Sequence, residues 1–163
     1  MTDHVDLVLS QWAAVRPDLD VSPMAVIGRL ARVTRLIDAQ LRRTFASHGL
    51  DAASFDVLAT LRRTARPLTA GELMNSAMVT SGAITQRLDR LENEGLVIRR
   101  SDSDDRRRVV TELTDAGLAR IDEALPDHIA TEARLLGMLS PEELSVLAFS
   151  LKGLLRSLEP RRD

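Results

Sequence analysis

The chain has no cysteine among its 163 residues, a single lysine, and only three histidines. The missing thiols exclude disulfides, thiolate metal sites and any switch worked by cysteine oxidation. His4, His48 and His128 have no second histidine or carboxylate at metal-ligand spacing, so no metal or histidine-based catalytic site is expected and each is assigned to surface or packing. A phosphate-cradling glycine loop, a nucleophile elbow and a recognisable Ser/His pair are also missing, which argues against an enzyme and against a bound cofactor. Hydrophobic residues make up 44% of the chain yet form no long run, and Met1-Thr2-Asp3-His4 lacks a basic-then-apolar leader. A cytoplasmic protein with no membrane span is therefore expected.

The most informative stretch runs from Leu68 to Gly117. Thr69-Ala70-Gly71-Glu72 is a capping box, so a helix should begin there and run to about Met78. Val79-Thr80-Ser81-Gly82 then breaks the pattern with β-branched, hydroxyl and glycine residues, and a second helix should start at Thr80 or Ser81. In it Ile84, Leu88 and Leu91 form one apolar stripe, while Ser81, Thr85, Gln86 and Arg90 lie largely outside it. Its first turn holds only Thr80, Ser81, Gly82 and Ala83, small enough for the backbone and the positive end of the helix dipole to approach a phosphate. Gly95 should end this helix.

Leu96-Val97-Ile98 then leads as a strand into Arg99 and Arg100, and Val109-Val110-Thr111-Glu112-Leu113 returns as a second strand. Between them Arg106, Arg107 and Arg108 follow an acidic tip. Arginines on such a hairpin can enter a minor groove or neutralise phosphates. On charge alone, a solvated loop explains five arginines and three aspartates over residues 99–108 equally well.

The remaining chain has the pattern of a helical scaffold. Ser22-Pro23 should cap and start a helix carrying Ile27, Leu30, Thr34, Ile37, Leu41 and Phe45 to a stop at Gly49. Another begins near Asp51 with Phe55, Leu58, Ala59 and Leu61. A third, from Asp115 to about Leu139, has Leu118, Ile121, Leu125, Ile129, Ala133 and Leu136 as its stripe. Ser140-Pro141-Glu142-Glu143 starts the last, whose leucines from Leu144 to Leu158 need a partner, either within one subunit or in a second. An extra segment, residues 1–21, places Val5, Val8, Leu9 and Trp12 at helical spacing. The net charge of −2 is unevenly spread: residues 114–163 hold six basic against nine acidic side chains, residues 1–68 nine against seven. The acidic excess can thus face away from DNA.

Ser81-Gly82-Ala83-Ile84-Thr85-Gln86-Arg87-Leu88-Asp89-Arg90-Leu91-Glu92, then Glu94-Gly95-Leu96-Val97-x-Arg99, Asp105-Arg106-Arg107 and Leu113-Thr114-x-x-Gly117, resembles the MarR family of winged-helix transcription regulators. The resemblance implies a mainly α fold: a winged helix-turn-helix with a small β-hairpin wing, and N- and C-terminal helices forming a dimerisation region. One such domain would span residues 1–163, with an extra helix in 1–21, dimerisation helices in 22–49 and 115–160, and a DNA-binding lobe in 51–114. It further implies a homodimer on a palindromic double-stranded operator, most often a repressor, contacting DNA through Thr80, Ser81, Gly82, Ala83, Thr85, Gln86, Arg90, Arg106 and Arg107. The chain is similar to the family's urate-responsive branch. Matched by motif, that branch's ligand residues fall on Trp12, Asp56, Arg87 and Arg99. An indole can stack on a flat anionic purine and two guanidiniums can bind its oxygens, while Asp56 would accept an N–H or repel the charge. Alternatives are an ion-pair cluster of Asp56, Arg87 and Arg99, a phosphate contact by Arg87, a phenolic, antibiotic or tricarboxylate ligand, and a winged-helix module that binds protein.

Overall fold

The computed structural model describes residues 2–76, 84–102, 105 and 107–159. Its elements run α1 (His4–Val15), α2 (Ser22–Ser47), α3 (Ala52–Thr64), β1 (Leu68–Thr69), α4 (Ala70–Ser76), α5 (Ile84–Asn93), β2 (Val97–Ser101), β3 (Val109–Leu113), α6 (Asp115–Leu136) and α7 (Pro141–Leu158). None of these helices is long and apolar enough to cross a membrane.

The extra N-terminal segment is helical because Asp3 and Asp6 close a capping box at its start. It lies antiparallel on α2: Val5 packs against Gly28, and Arg29 reaches Asp3 at 2.9 Å and Asp6 at 2.6 Å. The start of α2 is displaced from the expected cap. Ser22 is itself the first helical residue, no side chain caps the helix, and Asp20 takes the Ser22 N–H at 2.9 Å. The helix ends as glycine allows, with Gly49 at φ +68°.

The core lies where α3, α4, α5 and α6 meet the sheet, around Val57, Leu58, Leu73, Leu91, Val97 and Ile121, all nearly or fully sealed from solvent. The sheet has three antiparallel strands in the order β1-β3-β2 rather than a bare hairpin. The unexpected strand is two residues long, pairing Leu68 with Thr111 and Thr69 with Val110. Thr69 thus ends a strand and also caps α4: it takes the Glu72 N–H at 3.2 Å while Glu72 takes the Thr69 N–H at 2.8 Å.

The inner face of α6 also differs from the expected stripe. Gly117, Ile121, Ala124 and Thr131 face the core, whereas Leu118, Ile129 and Leu136 are exposed. The helix has two apolar faces, and the leucine-rich one points out of this chain. Gly117 explains the register. A Cβ there would overlap the Leu96 carbonyl oxygen, so the first turn of α6 sits directly on the start of the wing. Thr114 completes the junction, donating its N–H to Leu96 O at 3.2 Å and its hydroxyl to Gly95 O at 2.6 Å.

Gly117→Ala should therefore lower stability in urea unfolding by about 1–3 kcal/mol, the cost of overpacking against a backbone atom. An unchanged midpoint would contradict this seating. A second expectation concerns acid. Glu72 is drawn from the ordinary 4.5 down to about 2, chiefly by the Thr69 N–H, then by the Thr69 hydroxyl and Arg66. A lowered carboxylate pKa stabilises the fold fully above the unfolded value and ceases to do so as pH falls through the folded one. The stability difference between wild type and Glu72→Gln should stay constant above pH 4.5 and shrink between 4.5 and about 2.

Candidate nucleic-acid interface and effector site

Helix α5 buries Leu88 and Leu91 and half-buries Ile84, leaving Thr85 and Gln86 exposed on the opposite side. This is the division a reading helix needs, one face for packing and one for base edges. Thr80, Ser81, Gly82 and Ala83, expected in its first turn, lie outside the described residues, as do the expected end of the preceding helix at Met78 and Arg106 in the wing. Arg90 is held by two carboxylates, Asp51 at 3.0 Å and Glu94 at 2.8 Å, with about half of its side chain still open to solvent.

Near the wing tip, Arg108 N–H donates to Asp105 O at 2.8 Å and Asp102 N–H to Arg108 O at 2.9 Å. Arg107 projects from it with 91% of its side chain exposed, tethered to Asp105 at 3.1 Å. That bond, with the Arg107 N–H, holds the Asp105 carboxyl below its ordinary value. Further down the wing, Arg100 pairs with Glu112 at 2.7 Å.

Arg99 turns back onto α5. Its N–H and guanidinium grip Glu92 at 3.0, 2.9 and 2.6 Å, and the same guanidinium reaches Asp89 at 2.6 Å. Glu92 is lowered by this contact and Arg99 raised. Arg87, half-buried on α5, acts electrostatically on Asp51, the N-cap of α3. Desolvation, the largest influence on Asp51, raises its pKa, but the Ser54 hydrogen bonds with Arg87 and Arg90 outweigh it and the group is lowered.

Asp56 faces a different space, a cleft of about 460 Å³ between α3 and α6 that it lines with Phe55, Arg62, Arg63, Leu125 and His128. Arg62 is paired with Asp122 at 2.6 Å, and the Arg63 guanidinium donates to the Ser76 carbonyl at the end of α4. The sequence places His128 at the surface or in packing, with no carboxylate at ligand spacing. It does pack, stacked 5.5 Å from Phe45 and tilted 4.7 Å from Phe55, but its Nε2 lies 3.3 Å from Glu132 and its Nδ1 is buried without a described hydrogen-bond partner. His48 likewise has Asp127 at 2.9 Å. The available signal was the α6 inner stripe, in which position 128 falls between 124 and 131.

Trp12 stands far from all of these. It is 40% exposed on α1, beside the N-terminal end of α2, since Val8 already shares a groove with Pro23 and Met24. The Asp56 cleft adjoins the other end, where Phe45 and His48 meet α6. Some twenty helical residues separate the two ends, about 30 Å at 1.5 Å per residue.

The arrangement of an amphipathic helix α5 beside an arginine-bearing wing has counterparts among known proteins. The MarR family profile matches residues 48–108. The chain is 43% identical over 142 residues to the HTH-type transcriptional regulator PecS of Dickeya dadantii, covering 86% of each. Among solved structures, AbsC, a MarR family transcriptional regulator from Streptomyces coelicolor, superposes with a TM-score of 0.78 at 26% identity, covering 86% of this chain and 96% of AbsC. A mutant MarR from E. coli complexed with operator DNA superposes with a TM-score of 0.71 at 29% identity, covering 88% and 97%. The chain belongs to the MarR family and is a DNA-binding transcriptional regulator of the PecS branch, not an enzyme.

Proposed function

We propose that the protein is a homodimeric repressor that binds a palindromic double-stranded operator and is released by urate or a related small anion. The observation that carries the dimer is α7, which has no buried residue in the single chain although its sequence is largely apolar. Val146 is 66% and Phe149 80% exposed, and Val26, Ile27, Val33 and Leu36 of α2 are exposed with them. Apolar faces of this extent mark an interaction surface, and a second copy covers them by two-fold symmetry. Two reading helices one DNA turn apart then select a palindrome. Thr85 and Gln86 face base edges beside Thr80, Ser81, Gly82 and Ala83, while Arg90, Arg106 and Arg107 serve the phosphates and the minor groove.

For the effector, Asp56 offers an acceptor, Trp12 a stacking plane, and Arg87 and Arg99 cations that have to turn from Asp51 and from Asp89 and Glu92 to reach it. Because one chain separates Trp12 from Asp56 by about 30 Å, the indole in each site comes from the partner subunit. Release follows from competition. An anion that draws Arg87 toward itself withdraws it from Asp51, and Asp51 also anchors Arg90, so the seating of α5 on α3 changes and groove fit is lost.

Urate added to the purified protein should quench Trp12 fluorescence and release operator DNA together. Subunits carrying Trp12→Ala and Arg87→Ala, each unresponsive alone, should regain one responsive site when mixed. A mixture that stays silent refutes the shared site. Release by a phenolic acid, an antibiotic or a tricarboxylate instead of urate would replace the effector class and leave the repressor standing. Arg107→Ala should weaken binding at all sequences alike and reduce the salt slope by about one. Loss of specificity at unchanged slope would mean that Arg107 reads a base.

A further inference from the structure

Glu72 has more partners than a helix cap needs. Its Oε2 accepts the Thr69 N–H at 2.8 Å and the Thr69 hydroxyl at 2.8 Å, and lies 3.5 Å from the Arg108 guanidinium. Its Oε1 takes Arg66 at 3.0 Å. In the equivalent box of α7, the described bond of Glu143 is to Ser140 alone. The additional contacts have a geometric meaning. Arg108 immediately precedes β3 and follows Arg107, so it sits at the tip end of the wing, while β1 runs alongside the same half of β3 through Thr69 and Val110. Arg66 belongs to the turn between α3 and β1. One carboxylate on the first turn of α4 thereby reaches the strand beside the wing, the turn leading into that strand, and the tip end of the wing itself.

We propose that Glu72, acting through Arg108 and Arg66, is a positioning clamp that fixes the angle of the wing to the helix-turn-helix and so the register between Arg107 and the reading helix on operator DNA. Glu72 does not touch DNA in this arrangement. Arg108, neutralised by Glu72 and lying 4.0 Å from Asp102, is not a phosphate contact either. The ion pairs are too exposed to add much to stability. Their effect is on where the tip lands, because backbone contacts set register on a duplex.

The clamp and simple electrostatics predict opposite signs. Removing an anion from a DNA-binding face tightens binding to every duplex. Glu72→Gln, whose amide oxygen can keep the Thr69 bonds, should instead weaken operator binding on the order of tenfold, while affinity for a non-operator duplex is unchanged or higher. Arg108→Gln should give the same loss with no change in salt slope. The double variant should be no worse than either single one, since both break one unit. Urea midpoints establish that the lobe is folded. Should Glu72→Gln melt early, Arg108→Gln decides the matter by itself, because Arg108 caps no helix. Operator binding by Glu72→Gln as tight as wild type, additive losses in the double variant, or a salt slope reduced by about one in Arg108→Gln would each overturn the clamp.

Discussion

The guanidinium of Arg99 sets the relation on which the DNA-binding lobe depends, because it ties the first wing strand to the reading helix. It engages Glu92 with two hydrogen bonds, beside a third from the Arg99 backbone N–H, and also pairs with Asp89, both carboxylates from α5. The wing is then not a loose ribbon beside the helix but continuous with it. On its other edge β3 carries β1, and Glu72 reaches Arg108 from α4. At the base, Gly117 lets α6 rest on the Leu96 carbonyl. The wing is fixed along both edges and at its foot. The arginine at its tip inherits the orientation of the helix-turn-helix.

Local chemistry was legible where a residue's role is decided by its near neighbours. The Thr69/Glu72 and Ser140/Glu143 boxes, the stops at Gly49 and Gly95, and the Ile84, Leu88 and Leu91 stripe all stand where sequence spacing puts them. What escaped depends on contacts distant in sequence. Two residues of β1 have no periodicity of their own and become a strand only because β3 passes beside them. For α6, apolar residues occupy two faces, and spacing cannot say which faces inward. Gly117 settles it, since a residue without a Cβ permits the approach to Leu96 and so turns Ile121, Ala124 and Thr131 inward. The same limit applies to Trp12, Asp56, Arg87 and Arg99. Motif matching names the four positions but carries no information about the roughly 30 Å of helix α2 that lies between Trp12 and the Asp56 cleft.

Charge behaves similarly. Much of the arginine charge around the wing is spent internally: Arg99 on Asp89 and Glu92, Arg100 on Glu112, Arg108 on Glu72, and on α5 Arg90 on Asp51 and Glu94. Among the described wing arginines, Arg107 is the one that projects. A net charge of −2 is compatible with DNA binding, because the local distribution of charge matters more for binding than the total.

In the proposed release by a small anion, this internal pairing is what the effector acts upon. A lobe whose arginines were all free would bind DNA through long-range attraction, and one small anion could neutralise little of it. Here the cations near α5 are already divided among carboxylates, and Asp51 is common to Arg87 and Arg90 while also capping α3. On that proposal, redistributing one such pair would alter the seating of one helix on another without unfolding either. Groove recognition is sensitive to displacements of that kind, since the reading helix and the wing must fit neighbouring grooves at once. The energy required is the small difference between alternative ion pairs at a half-exposed site, which is the scale on which a weakly bound metabolite can compete.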